Sequence, residues 1–356
     1  MSSFPRLART GHTSHCKICL SGLPFSQVEV DSSRIALILY CFGTLDLLGT
    51  LSTKTSETDR QKWRDWLWEQ QTSGKHGTGF KPSAYMTPQG GNDEYGDYDA
   101  PHLIMTYAAL LSLAILRDDC SKLNRTGIVQ LIRACQHEDG SFSALPDGGE
   151  ADLRSVYCAF ALSSMLDDWS GIDIDRAVAY IQRCSSYEGG YGQIPYNEAL
   201  GGTTYCALAA LHLAPGTTLS SPETRITPAE RARTIRWLTQ NQTSCGGFCG
   251  RTGKLADACY CFWCGASLSI LGAGELVDST ALALWMAQCQ YKFGGIAKAP
   301  SERPDPYHTY LSLAALALHP PSEGASSWEL FPFNMFWNTT EETAQWVRDH
   351  VPAHKA

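Results

Sequence analysis

The chain repeats itself. Four times a Gly-containing turn leads into a polar loop and then an Ala/Leu-rich run: "EDGSFSALPDGGEADLRSVYCAFALSSML", "YEGGYGQIPYNEALGGTTYCALAALHL", "SCGGFCGRTGKLADACYCFWCGASLSIL" and "YKFGGIAKAPSERPDPYHTYLSLAALAL". A degenerate copy, "GGNDEYGDYDAPHLIMTYAALLSLAIL", precedes them. The period is about 50 residues, within the range of stacked repeat architectures. Between the copies lie amphipathic segments such as "IDRAVAYIQRCS" and "PAERARTIRWLTQNQ" with apolar residues at helical spacing. Each repeat therefore reads as a helix pair, one member apolar all round and buried, the other with a charged outer face. Gly-Gly pairs are expected to end the outer helix and open the turn. Stacked pairs make an open solenoid or a closed ring. The small residues along the inner helices favour the ring: an all-α fold, an α/α barrel of repeated helix pairs around a central apolar cavity, with inner-helix N-termini around one mouth. "SSRIALILYCFGTLDLLGTL" supplies a further inner helix that closes it. No linker divides the chain, so 1–356 is expected to be one domain, with flexible ends at 1–10 and 345–356. "WNTTEETAQWVRDHVPAHKA" reads as a last outer helix with a frayed tail.

A net charge of -8 argues against a nucleic-acid or membrane-surface role, both of which need a basic face. The 14 cysteines are irregularly spaced and often sit inside apolar runs, which suits buried thiols in a reducing compartment. The first residues lack the apolar core of a signal peptide, and no stretch approaches the 18 or so apolar residues of a membrane span. A cytoplasmic protein is expected.

Three groups of residues gather where the inner helices begin. Asp257 and Cys259 converge only if Asp257 lies in the loop and Cys259 in the first helical turn, because residues two apart on a helix diverge. One repeat later "PDPYHTY" puts His308 at the equivalent point, with Pro304 and Pro306 fixing a helix start. Asp, Cys and His all ligate zinc, and three protein ligands leave the open position of a catalytic site. Taken alone, Cys259 also suits a buried thiol and Asp257 a helix N-cap. Other cysteine pairs compete: Cys16/Cys19 without partners nearby in sequence, Cys245/Cys249, and Cys261/Cys264, which read as core. Arg251, Lys254, Tyr260 and, in the next repeat's loop, Lys298 can hold an anion such as a diphosphate beside helix N-termini; solvated loop charges are the plain alternative. Tyr107, Tyr157, Tyr205 and Trp263 recur near inner-helix starts. They suit an apolar, unsaturated ligand or simple core packing.

At these residues the chain resembles the β subunits of protein prenyltransferases over almost its whole length. "DACYCFW" resembles that family's D-x-C-Y-x-F-W segment and "PDPYHTY" its D-x-Y-H-T segment. Within the family it is most similar to the type I geranylgeranyltransferase β subunit, through "SSRIALILYCFGTLDLL", "YDAPHLIMTY" and "DDWSGIDI". The resemblance implies thioether formation on C-terminal CaaX peptides of small GTPase-type proteins, X typically Leu, with geranylgeranyl diphosphate as donor. It implies one zinc held by Asp257, Cys259 and His308, with Tyr260 a fourth catalytic residue. Arg251, Lys254, Tyr260 and Lys298 would hold the diphosphate. Ala36, Tyr107, Tyr157, Gly202, Cys206, Trp263 and Leu311 would line the isoprenoid site, and Arg154 and Tyr307 the peptide site. Ala36 and Leu311 stand where farnesyltransferases carry bulkier rings. Lys298 stands where they place an Asp for magnesium, so magnesium is not expected to be required. A helical α subunit would complete a heterodimer. Farnesyltransferase, a Rab-type β subunit, or a helical-repeat scaffold with weakened turnover remain alternatives. The scaffold is suggested by Leu200, which replaces the His of the family's H-G-G.

Overall fold

The structure, a computed structural model, describes residues 4–23, 30, 32–84, 100–146, 148–221, 223–322 and 325–353. The apolar runs become helices α2 (Arg34–Leu47), α5 (Leu103–Ile115), α7 (Leu153–Leu166), α9 (Gly201–Leu213), α11 (Ala258–Ile270) and α13 (Pro306–Leu318). The amphipathic segments become α1 (Arg9–Ser21), α4 (Glu57–Glu69), α6 (Arg125–Cys135), α8 (Ile174–Arg183), α10 (Pro228–Gln240), α12 (Ser279–Cys289) and α15 (Glu341–His350). Single turns form α3 (Leu51–Lys54) and α14 (Ala325–Trp328). Around the inner ring α2 packs on α5, α5 on α7, α7 on α9, α9 on α11 and α11 on α13, and α13 returns to α2. The ring is closed, and "SSRIALILYCFGTLDLLGTL" closes it as expected.

Side-chain caps fix where most inner helices start. His102 Nδ1 accepts the Met105 N–H for α5, Asp152 the Arg154 N–H for α7, Asp257 the Cys259 N–H for α11 and Asp305 the His308 N–H for α13. Each of the three Asp caps contributes ~1 kcal/mol. In α9 Leu200 occupies the cap position and offers no acceptor. The ring interior is apolar: in α5 every residue but Ile104 is buried. Burying each Leu there contributes roughly 1.5–3 kcal/mol.

The glycine pairs do something other than end the outer helices. α8, α10 and α12 stop at Arg183, Gln240 and Cys289, and the glycines follow in tight antiparallel turns bridged by Ser185↔Tyr191, Gln242↔Phe248 and Gln290↔Ile296. The first glycine of each turn lies against the next outer helix. A Cβ on Gly246 would sit 2.1 Å from the Ala281 carbonyl oxygen of α12, and one on Gly294 2.0 Å from that of Gly11 in α1. Both have positive φ, 96° and 107°, which also favours glycine. The Gly294 contact brings the last repeat round to α1 and closes the outer layer.

The C-terminal segment also differs from expectation. Residues 345–350 continue α15, and Val347 and Val351 are fully buried, so this stretch is docked and not frayed. Phe4 packs edge-on against the buried Trp328, and α1 begins at Arg9, so 4–10 is likewise held; residues 1–3 and 354–356 lie outside the described residues. "WNTT" belongs to a hairpin, Phe333–Asn334 paired with Thr339–Thr340, whose turn enters the ring. Tyr205, Tyr157, Tyr107 and Tyr310 from four inner helices donate their phenolic hydrogens to the carbonyls of Met335, Phe336, Trp337 and Asn338 in turn, at 2.7, 3.0, 3.1 and 2.6 Å. Each tyrosine is the fifth residue of its helix. Burial pushes all four phenols well above their ordinary pKa, so they remain neutral donors.

Candidate metal and diphosphate site

Two local devices bring the metal-ligand candidates together. The short hairpin Ile296–Ala297/Pro304–Asp305 delivers the chain into α13, where Pro306 suits the first helical turn. The Lys298 carbonyl of that hairpin accepts the Ala258 N–H at 2.9 Å, stitching the start of α11 to the start of α13. Asp257 stays in the loop as N-cap and Cys259 enters the first turn, the arrangement that lets them converge.

The ligand atoms of Asp257, Cys259 and His308 all lie within 4.8 Å of one another. His308 Nε2 is 3.4 Å from Asp257 Oδ1. His308 Nδ1 is 2.6 Å from Oδ2 of Asp305, whose other oxygen caps α13 through the His308 N–H at 2.8 Å. Asp305 thus holds the proton on Nδ1 and leaves the Nε2 lone pair for the site. Asp305, inside "PDPYHTY", was not singled out from sequence. Its signal was a carboxylate three residues before a ligand histidine at a helix start, which both caps and orients.

The electrostatics suit a cation. Burial pulls the His308 imidazole down, but hydrogen bonds with Asp257, Asp305 and Cys259 outweigh it and lift the group to about 11. Burial raises Asp257, yet His308 and Cys259 bring it below the usual carboxylate range. Burial pushes the Cys259 thiol up to about 11, opposed by His308. An imidazole, a thiol and a carboxylate crowd together here, part-buried and satisfied largely by one another. That donor set fits a divalent ion of zinc's type, which would take the place of the protons.

The anion-site residues are placed less completely. The Tyr260 ring covers the turn at Gly250, where a Cβ would sit 2.2 Å from it, and also touches Gly201 at the start of α9. Tyr260 therefore stands between the metal candidates and the Leu200 end of α9. Arg251 pairs with Glu198 at 3.2 Å, a partner sequence reasoning missed because it lies one repeat away. Lys254 and Lys298 are exposed on the adjoining loops.

Among the lipid and peptide candidates, Ala36, Gly202, Trp263 and Tyr307 are partly exposed, whereas Tyr107, Tyr157, Cys206 and Leu311 are buried. The hydroxyls of Tyr107 and Tyr157 are engaged by the hairpin. Trp263 Nε1 donates to the Tyr307 hydroxyl at 3.2 Å, and the Tyr307 ring lies edge-on to His308 at 5.0 Å and to Tyr40 at 5.3 Å. Tyr307 therefore joins the metal candidates to the aromatic wall. Tyr40, one turn beyond Ala36, was not singled out from sequence. Arg154 is half exposed and held by Asp152 and Glu150, each at 2.5 Å. A cavity of about 760 Å³, lined by residues including Asp46, Arg60, Arg64, Arg117, Asp118 and Glu342, lies at the other ends of α2 and α5 and contains none of these candidates.

The ring, the repeats and the site match one known class. Residues 7–339 match the prenyltransferase alpha-alpha toroid domain, and the chain belongs to that family. It is 35% identical to the geranylgeranyl transferase type-1 subunit beta of Arabidopsis thaliana, over 86% of this chain and 84% of that one. It is also 35% identical to the protein of the same name from Dictyostelium discoideum, over 84% and 87% of the two chains. A solved structure of Candida albicans protein geranylgeranyltransferase-I complexed with GGPP superposes with a TM-score of 0.84 at 27% identity, covering 97% of this chain and 99% of that one. Among the described residues no helix is long and apolar enough to cross a membrane.

Proposed function

We propose that this chain is the β subunit of a type I protein geranylgeranyltransferase, transferring geranylgeranyl from its diphosphate to the cysteine of C-terminal CaaX sequences. The observation that carries the reading is the convergence of Asp257, Cys259 and His308 at adjoining inner-helix starts. The similarity to type-1 β subunits in two organisms and to a geranylgeranyltransferase-I structure supports the choice of lipid. A helical α subunit is the expected partner.

Asp257, Cys259 and His308 would hold zinc, which when bound offers an open position where a substrate cysteine is kept as thiolate near neutral pH. The chain's own residues do the rest. Asp305 fixes the His308 tautomer. The reaction joins the substrate sulfur to C1 of the lipid and breaks the C1–O bond, so negative charge grows on the leaving diphosphate. Arg251, Lys254, Lys298 and the Tyr260 hydroxyl are the groups that meet it. Lys298 offers a fixed positive charge in place of a second metal, so magnesium is not needed. Arg251 releases Glu198 when the diphosphate arrives. Trp263, Tyr307 and the half-buried Ala36 border the lipid and exclude water, and Arg154 meets the peptide's C-terminal end.

One observation favours weakened turnover. Leu200 provides neither a cap for α9 nor a donor to an anion beside Tyr260. The test is a transfer assay on the chain co-expressed with an α subunit, using a peptide ending in C-a-a-Leu and each isoprenoid diphosphate. Preferred geranylgeranyl transfer is expected. Preferred farnesyl transfer overturns the type, and zinc binding without any transfer favours a scaffold.

A further inference from the structure

The cavity of about 760 Å³ at the far ends of α2 and α5 holds none of the transfer-site residues, yet its wall is densely charged. Three arginines line it, and each is already engaged. Arg60 donates to the Thr55 carbonyl at 2.9 Å and to Glu57 at 2.6 Å. Arg64 donates to the Leu116 carbonyl at 2.8 Å and to the same Glu57. Arg117 donates to the Ala114 carbonyl at 3.0 Å and to Glu342 at 2.8 Å. The aspartates of the wall are not matched in this way. Asp118 accepts from Trp68 Nε1 at 3.0 Å and the Cys120 N–H at 2.8 Å, and Asp119 from the Ser121 N–H at 2.9 Å. All three donors are neutral. Asp46 is only 7% exposed, and its Oδ2 accepts the Thr340 and Thr343 hydroxyls at 2.6 and 2.8 Å. Its Oδ1 has no hydrogen bond among the described residues. The Arg117 guanidinium, held by Glu342, stops 3.9 Å short of it, beyond hydrogen-bond reach. Burial raises the Asp46 carboxyl above its ordinary range, as it must for a carboxylate with one oxygen left without a donor.

Five carboxylates thus face three guanidinium groups, and the C-terminal ends of α2 and α5 add negative partial charge. The arginines are committed to carbonyls and glutamates, so the cavity is not laid out for an anion. Nor do its acids gather on a point: among the described residues, Asp257, Cys259 and His308 are the only trio of potential metal ligands within 4.8 Å of one another. The volume is that of a small-molecule site. Surplus negative charge spread along such a space, with one buried oxygen lacking a donor, suits an elongated organic cation. We propose that this cavity binds an aliphatic polyamine, one ammonium group donating to Asp46 Oδ1 and another meeting Asp118 and Asp119 at the rim. The site is separate from the transfer chemistry at the opposite mouth and does not depend on it.

The test titrates the full chain with spermidine by calorimetry at fixed ionic strength. Saturable binding of one spermidine per chain is expected. Asp46→Asn keeps an oxygen for the two threonines and should weaken binding at least ~10-fold, the loss of one hydrogen bond to a charged group. Asp119→Asn changes an exposed side chain that can keep its bond to Ser121, and should weaken binding ~2–5-fold. Because that variant leaves the core alone, it decides the matter if Asp46→Asn fails to fold. No saturable binding, unchanged affinity in Asp119→Asn or in a folded Asp46→Asn, or magnesium displacing spermidine one for one would each overturn the inference.

Discussion

Replacing Asp305 with asparagine tests the orientation of His308 without removing the helix cap. Asp305 uses one oxygen for the His308 N–H at 2.8 Å and the other for Nδ1 at 2.6 Å. Asparagine has one oxygen and one NH2. If the oxygen keeps the cap, which asparagine serves well, the NH2 faces Nδ1 and demands an acceptor there. The imidazole must then carry its proton on Nε2, the atom aimed at Asp257 and the metal position. Loss of such a supporting carboxylate typically costs 10–100-fold in metal affinity, or ~1.4–2.8 kcal/mol. Asp305→Ala should cost a similar factor in affinity and, by losing the cap, an additional ~1 kcal/mol of stability. Zinc affinity is read by competition with a chromophoric chelator, and stability by thermal melting. Asp305→Asn should melt close to wild type yet bind zinc at least ~10-fold more weakly. Wild-type affinity in Asp305→Asn would refute the tautomer argument.

Leu200→His should tighten geranylgeranyl diphosphate binding by restoring a donor at the start of α9, by ~10–150-fold if it makes one hydrogen bond to a charged group; an unchanged Kd would remove Leu200 from the diphosphate site. Ala36→Trp should shift preference toward farnesyl diphosphate by filling the end of the lipid site, read as the ratio of kcat/KM for the two donors, and no shift would undercut the pocket argument. Tyr310→Phe should cost roughly 1–3 kcal/mol in a denaturant melt, because the buried Asn338 carbonyl loses its donor; an unchanged midpoint would show that the hairpin is held without the phenols. His12 is buried with Nδ1 accepting the Gly295 N–H, and burial lowers its pKa to about 4. The neutral form is favoured by folding, so its contribution is complete above about pH 6.5 and fades as pH falls toward 4, by up to ~3 kcal/mol. Hydrogen exchange of α1 should quicken over that window in wild type, and an α1 indifferent to pH would contradict this.

The repeats, the inner and outer assignment and the metal trio were legible because each rests on local chemistry. Apolar periodicity marks α5 and α11, and Asp257 and Asp305 begin their helices in the ordinary way of N-caps. What was not legible is non-local. Nothing in "FNMFWNTT" announces that four tyrosines from four repeats will bind its carbonyls, since the acceptors are backbone atoms and carry no sequence signal. Tyr107, Tyr157 and Tyr205 suit a lipid wall or core packing from sequence, since their periodicity shows that they share one level of the ring but not which atom meets each hydroxyl. Local turn chemistry alone makes the glycine pairs look like helix ends. Their second constraint is the close approach of the next outer helix, as at Gly294 and Gly11. Glu198 lies far in sequence from Arg251 and becomes its partner only through packing.

The central claim is that Asp257, Cys259 and His308 hold one zinc on which lipid transfer depends. The most direct measurement is elemental analysis of the chain purified with an α subunit, compared with Cys259→Ala and His308→Ala, with lipid transfer assayed on the same samples. The account predicts about one zinc per heterodimer in the wild type, and metal and transfer lost together in both variants. Full zinc content in both variants, or full transfer by a zinc-free wild type, would contradict it.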